Sequence, residues 1–266
     1  MPPLDLPPIG LGTYQNTDPD TCAESVEIAL NEGYRHVDTA EMYGNEAAVG
    51  EGLARAAVDR EDVIVATKID TPNLAHDDLI DSARGCADRL GVETIDLLYV
   101  HWPLDSYEPQ ETLGALDGLV EDGLVDHVGL SNFTPSLLTE AVDLLDASLA
   151  AHQVECHAML QQDELRRLAR EHDHHLVAYS PLAKGEVVDV PEIREIAEKH
   201  DATPAQVALA WLLSKESVVA IPKASSHDHI EENMAARELE LEPVDIERID
   251  ELGRTERMVD FDGTPW

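Results

Sequence analysis

The sequence predicts an α/β fold, a (β/α)8 TIM barrel, built as a single domain over residues 1–266. Three observations carry this. Short apolar runs recur at a spacing of roughly 30 residues, the repeat of a strand plus its crossover helix. The stretches between them have helical periodicity, so the strands run parallel. No Gly-, Ser- or Pro-rich linker divides the chain, and its length lies within the range of one such barrel.

The elements follow in order. The first run, residues 9–14, leads to Asp18 and Pro19, a helix start; Cys22, Val26, Ala29 and Leu30 share one face and Gly33 ends the helix. Runs two and three are residues 34–37 and 63–67. The fourth, 95–100, precedes a helix with Leu113, Leu116 and Val120 on one side. The fifth, 125–130, precedes another with Leu137, Leu138, Ala141, Val142 and Leu145. The sixth, 151–155, is the least apolar, and the seventh is 176–178. The longer interval before the eighth run, 218–221, holds two helical patterns, 192–200 and 204–215, the second opened by Thr203-Pro204. A tail follows.

Fifty-five acidic residues against 18 basic ones give a net charge of −37, spread through the helices. Such a surface argues against nucleic acid as a partner. Distributed carboxylate keeps a protein soluble where counter-ions screen its self-repulsion, so the composition predicts a halophilic, acidic protein of a salt-rich cytoplasm. No apolar stretch is long enough for a membrane span, and the first 11 residues lack a secretory pattern, so a cytoplasmic location is expected. Cys22, Cys86 and Cys156 have no metal-like spacing and are expected as free thiols.

In a barrel of this kind, chemistry gathers where strands end. Asp38, Lys68, His101, Ser131 with Asn132, Tyr179 with Ser180, and Lys223 stand at or just after the ends of their runs, and Gln153 lies in the sixth. A single polar residue there is ordinarily a cap or turn. A series along seven runs points to a site.

At these positions the sequence resembles the aldo-keto reductase family, in its prokaryotic diketogluconate and aldehyde reductase branch. The matching segments are GLGTY (10–14), VDTAEMYGNE (37–46), TK (67–68), HWP (101–103), VGLSNF (128–133), HQVE (152–155), YSPL (179–182) and IPKAS (221–225). The resemblance implies an NADP-dependent oxidoreductase acting on carbonyl groups of sugar or dicarbonyl type, with the family's catalytic tetrad on Asp38, Tyr43, Lys68 and His101. Charge growing on the carbonyl oxygen needs a proton donor and fixed dipoles. Tyr43 is the expected donor, its pKa lowered by the Lys68 ammonium, which Asp38 keeps protonated. Neutral His101 would donate a hydrogen bond to the carbonyl oxygen.

The resemblance also implies a cofactor shell. Ser131, Asn132 and Gln153 would hold the nicotinamide carboxamide, and Tyr179 would stack on its ring. Ser180 and Leu182 would line the pyrophosphate path. Lys223, Ser225 and His229 would surround the adenosine ribose, with Glu232 and Asn233 at adenine. Here His229 replaces the family's arginine and Ala224 its serine, so NADP(H) is expected with NAD(H) as the alternative. Tyr14, Trp102 and Trp266 are the implied substrate contacts, although edge packing accounts equally well for the two tryptophans.

Other signals fall away. GLGTY has Gln15 where a dinucleotide fingerprint needs its third glycine. Asn132-Phe133-Thr134 spells a glycosylation acceptor without a secretory context. His172, His174 and His175 predict a solvated helix end, not a metal site. The expected state is a monomer acting on a small carbonyl compound. A cofactor-sensing interaction protein of the channel-associated type is the alternative, and a barrel isomerase or lyase leaves the SNF and IPK segments unexplained.

Overall fold

A computed structural model describes residues 4–266. Eight strands lie in parallel in sequence order: β1 (Leu11–Gly12), β2 (His36–Asp38), β3 (Ile64–Ile69), β4 (Ile95–Val100), β5 (Val125–Ser131), β6 (Leu149–Glu155), β7 (His175–Tyr179) and β8 (Val218–Ala220). Parallel bridges from Ile9 to Ala220 and from Gly12 to Lys223 bring the eighth strand back to the first, which closes the barrel.

Alternation along the strands sorts side chains into two cores. Ala66, Leu97, Tyr99, Ala151, Val177, Val219 and Ile221 fill the barrel, with Leu6 beneath them. Leu98, Val100, Val128 and Leu130 face outward and join the helices in the larger outer core. Each fully buried side chain of this size contributes about 1.5–3 kcal/mol. Gly129 is fixed by this arrangement: a Cβ there would come within 2.3 Å of the Tyr99 ring.

The helices begin as their sequences dictate. Pro19 opens α1 (Pro19–Asn31) behind an Asp18 cap that accepts from the Thr21 amide. Thr203 and Gln206 form a capping box on the helix Pro204–Leu213. The first run shrinks to two residues of strand and the second moves two residues on, so Asp38 closes β2 instead of following it. Position in the register, and not apolar content, decides where these short strands lie. The three cysteines are buried and free, and among the described residues no helix is long and apolar enough to cross a membrane.

Candidate active site

Asp38 from β2, Lys68 from β3 and His101 just beyond β4 meet Tyr43, which ends a single 3-10 turn (Glu41–Tyr43) after β2. The sheet makes this meeting, because Asp38 pairs with Ala66 and Lys68 with Tyr99 in adjacent registers. Lys68 Nζ donates to Asp38 Oδ1 at 2.5 Å and to the Thr39 carbonyl at 2.6 Å. Its side chain is 1% exposed and that of Asp38 3%. Gln153 Nε2 donates to the other Asp38 oxygen at 2.7 Å. A buried ion pair recovers its desolvation cost only when the remaining polar atoms are also paired. Here Thr39 and Gln153 supply those partners.

The Lys68 ammonium lies 5.1 Å from the Tyr43 ring centroid, and the His101 ring meets Tyr43 edge-on at 5.7 Å. Burial and the Lys68 charge hold His101 well below its ordinary pKa, so the imidazole is neutral. Its Nδ1 is buried without a partner among the described residues, and a proton there would be an unsatisfied donor. The proton therefore belongs on Nε2.

One expectation is corrected. Tyr43 is not lowered by Lys68; burial pushes its phenol well above the ordinary value, helped by the Asp38 charge and by Tyr179 and Tyr14. The ammonium already bonds Asp38 and Thr39, and the adjacent carboxylate offsets part of its field at the resting phenol. Burial also draws the Lys68 pKa down, with Asp38 opposing.

The residues expected around a nicotinamide come together as well. Asn132 Nδ2 donates to the His101 carbonyl and to Ser131 Oγ, and its Oδ1 accepts from the Tyr179 hydroxyl at 2.9 Å. Asn132 holds φ at 64°, a strained position that persists where surrounding bonds enforce it. The donor set fits a carboxamide: the Ser131 hydroxyl retains its proton to donate, and Asn132 Oδ1 and Gln153 Oε1 retain acceptor capacity. Ser180 and Leu182 follow β7 in a turn where Ser180 also has positive φ.

Lys223 is exposed and donates to Ser225 Oγ at 3.2 Å. Ser226 caps the helix His227–Ala235 by accepting from the His229 amide, which leaves a helix N-terminus beside Lys223, a favourable place for phosphate. His229 is exposed on the first turn, Glu232 is half-buried and Asn233 is buried.

At the mouth, Tyr14 packs on Tyr43 at 5.1 Å between centroids. Trp102 is buried and contacts Phe261 at 5.0 Å and Trp266 at 5.3 Å, so the tail folds over the aromatic wall. Several contributors were not singled out from the sequence. Thr39 acts through its carbonyl, which no side chain announces. Glu155 lies within the HQVE segment, is fully buried, and accepts from the amides of Met258 at 2.5 Å and Val259 at 2.8 Å. Arg257 sits in that same tail. A second correction concerns the histidines before and in β7: His174 is buried, packed 6.4 Å from the rings of both His152 and His172, so the cluster is not a solvated helix end. Among the described residues no group of His, Cys, Asp and Glu is arranged to hold a metal.

The model of the Aldo/keto reductase family matches residues 8–254. The chain is 37% identical over 263 residues to methylglyoxal reductase DkgB of Escherichia coli O157:H7, covering 98% of each. A solved structure described as a 2,5-diketo-D-gluconic acid reductase B superposes with a TM-score of 0.93 at 35% identity, covering 97% of this chain and 92% of the other. The aldose reductase of Schistosoma japonicum does so with a TM-score of 0.89 at 30% identity, covering 97% and 94%.

Proposed function

The chain belongs to the aldo/keto reductase family of NAD(P)H-dependent carbonyl reductases, and from that premise we propose that it reduces aldehydes and ketones of sugar or dicarbonyl type with Tyr43 as general acid. The observation that carries the roles is the convergence of Asp38, Tyr43, Lys68 and His101 at one mouth of the barrel. A bound nicotinamide dinucleotide supplies the hydride. His101, neutral and protonated on Nε2, donates to the carbonyl oxygen and orients it. Tyr43, firmly protonated in the resting site, holds the proton that the developing alkoxide takes. Lys68, with one N–H bond beyond those to Asp38 and Thr39, steadies the tyrosinate as it forms. Gln153 ties the Asp38 carboxylate to the carboxamide-binding end of the site.

We further propose NADPH as the preferred cofactor, through Lys223 and the capped helix start beside it, with Ser225, His229, Glu232 and Asn233 around the adenosine end. The remaining proposals are a cytoplasmic, monomeric protein adapted to high salt by its acidic surface, with Tyr14, Trp102 and Trp266 as substrate contacts. The test is turnover of sugars, dicarbonyls and keto acids with each nicotinamide cofactor in concentrated salt, followed by nicotinamide absorbance. Reduction of several members supports the reading. Tight cofactor binding with no turnover of any aldehyde overturns it and favours the interaction-protein alternative.

A further inference from the structure

Asn45 does not do what its position invites. It is the N-cap of the helix Glu46–Arg55, and asparagine is among the residues that ordinarily cap a helix with their own side chain. Here the side chain makes no cap bond, although the residue is buried. Its amide joins other segments instead. Oδ1 accepts from the Thr39 hydroxyl at 2.7 Å, and Nδ2 donates to the carbonyls of Thr13 at 3.0 Å and Asn16 at 3.2 Å. With both N–H groups engaged by backbone carbonyls, the amide has no donor left for a ligand.

What it ties together is the surroundings of Tyr43. The Thr39 carbonyl accepts from Lys68 Nζ at 2.6 Å, and the Thr39 amide is fixed on the Ala66 carbonyl at 2.9 Å. The Asn45 bond to the Thr39 hydroxyl supplies a second fixed point on that residue. Thr13 donates through both its amide and its hydroxyl to the Asp38 carbonyl, at 3.0 Å each, and it precedes Tyr14, which packs on Tyr43. Tyr43 itself is joined to Asn45 by Gly44 alone, which turns the chain at φ 66°.

A lysine ammonium carries three N–H donors in tetrahedral directions. Two of them are set by Asp38 Oδ1 and the Thr39 carbonyl, and together these determine where the third points. We propose that Asn45 is a positioning residue for proton transfer: by bracing Thr39 it fixes the carbonyl that aims the remaining Lys68 N–H at the Tyr43 phenol oxygen. This rests on the carbonyl reductase reading above and adds to it a residue whose own side chain has no donor free for substrate or cofactor. Misplacing a reacting group by about 1 Å can cost roughly 10²-fold in rate. Loss of Asn45 therefore falls on the chemical step and not on binding.

The experiment follows single-turnover oxidation of bound NADPH by 4-nitrobenzaldehyde, using stopped-flow nicotinamide absorbance. Asn45→Ala and Thr39→Val are each expected to lower that rate by about tenfold or more. The NADPH Kd from fluorescence titration and the half-saturating aldehyde concentration should stay within about twofold of wild type, the pattern of an interaction that matters only in the transition state. Thr39→Ser keeps the hydroxyl and should retain most of the rate, whereas a packing role for the methyl group would make it as slow as Thr39→Val. The double variant should be no slower than Asn45→Ala, because both changes break the same tie. A wild-type rate in Thr39→Val, equal losses in Thr39→Ser and Thr39→Val, multiplying losses in the double variant, or a loss confined to binding would each overturn the proposal. Should Asn45→Ala fail to fold, the Thr39→Ser and Thr39→Val pair decides alone. Failure of wild type to reduce any aldehyde would instead overturn the carbonyl reductase reading.

Discussion

Acidification from pH 7 to pH 5 should remove a large part of this protein's stability through three buried histidines. His36 and His152 are fully buried and His174 is 3% exposed. Burial lowers their pKa values to about 4, about 3 and about 4 respectively. Asp38 opposes the shift at His36, while Lys68 and His175 add to it. His174 adds to it at His152, and His172 and His175 do so at His174. In the unfolded chain each imidazole takes a proton below about pH 6.5, whereas the folded chain refuses it until about pH 4 or lower. The stability is therefore complete above that unfolded value and is lost as pH falls through the window beneath it. Between pH 7 and pH 5 each residue accounts for about 2 kcal/mol, roughly 6 kcal/mol together, against typical totals of about 5–15 kcal/mol. Exposed His227, raised by Glu32, has the opposite sign, but solvent screens it. Denaturant unfolding in molar KCl at both pH values measures the loss, the salt suppressing repulsion among carboxylates. His152→Leu should lose about 2 kcal/mol less than wild type over that interval. Equal losses in both proteins, or a flat wild-type profile, would refute the assignment.

Three further outcomes are expected. Tyr43→Phe should lower kcat by roughly 10² or more while cofactor binding, followed by fluorescence titration, stays nearly intact; retention of more than about a tenth of kcat would show that the proton comes from elsewhere. NADPH should bind about tenfold more tightly than NADH, about 1.4 kcal/mol, with the margin increasing in His229→Arg and vanishing in Lys223→Ala. Equal NADPH affinity in wild type and Lys223→Ala would place the phosphate at another position. Finally, the melting temperature should climb steeply from low to molar salt as the surplus carboxylates are screened, and a flat or falling series in calorimetry would contradict adaptation to salt.

The barrel was legible because parallel strands buried on both faces must be apolar and their crossovers amphipathic, and both signals are strong in β3, β4 and β5. It was least legible at β1 and β2, where two or three residues of strand are set by neighbours' register. The strand-end polar residues could be found by position alone, and the structure brings Asp38, Lys68, His101, Asn132, Gln153 and Tyr179 into contact chains. Thr39 could not be found this way, because its contribution is a carbonyl. Nor could Glu155, whose contacts depend on the tail returning across the barrel, between residues about a hundred positions apart. The sign of the Tyr43 shift was also out of reach, since it is set first by burial of the phenol and then by the Asp38 charge, which offsets that of Lys68.

That offset links the site to the unusual charge of the whole chain. A net charge of −37 opposes the approach of a dinucleotide phosphate, yet Lys223, the exposed cation proposed to receive it, has no carboxylate within salt-bridge distance among the described residues. Salt acts differently on the two parts of this balance. The Debye length falls from about 10 Å at 0.1 M to about 3 Å at 1 M, so repulsion summed over the surface is removed while contacts at hydrogen-bond distance in a partly buried site are weakened far less. At exposed Lys223 the contact is itself open to solvent, so molar salt should weaken part of the NADPH preference it provides. Concentrated salt would then speed the capture of anions in general while blunting discrimination at the cofactor end.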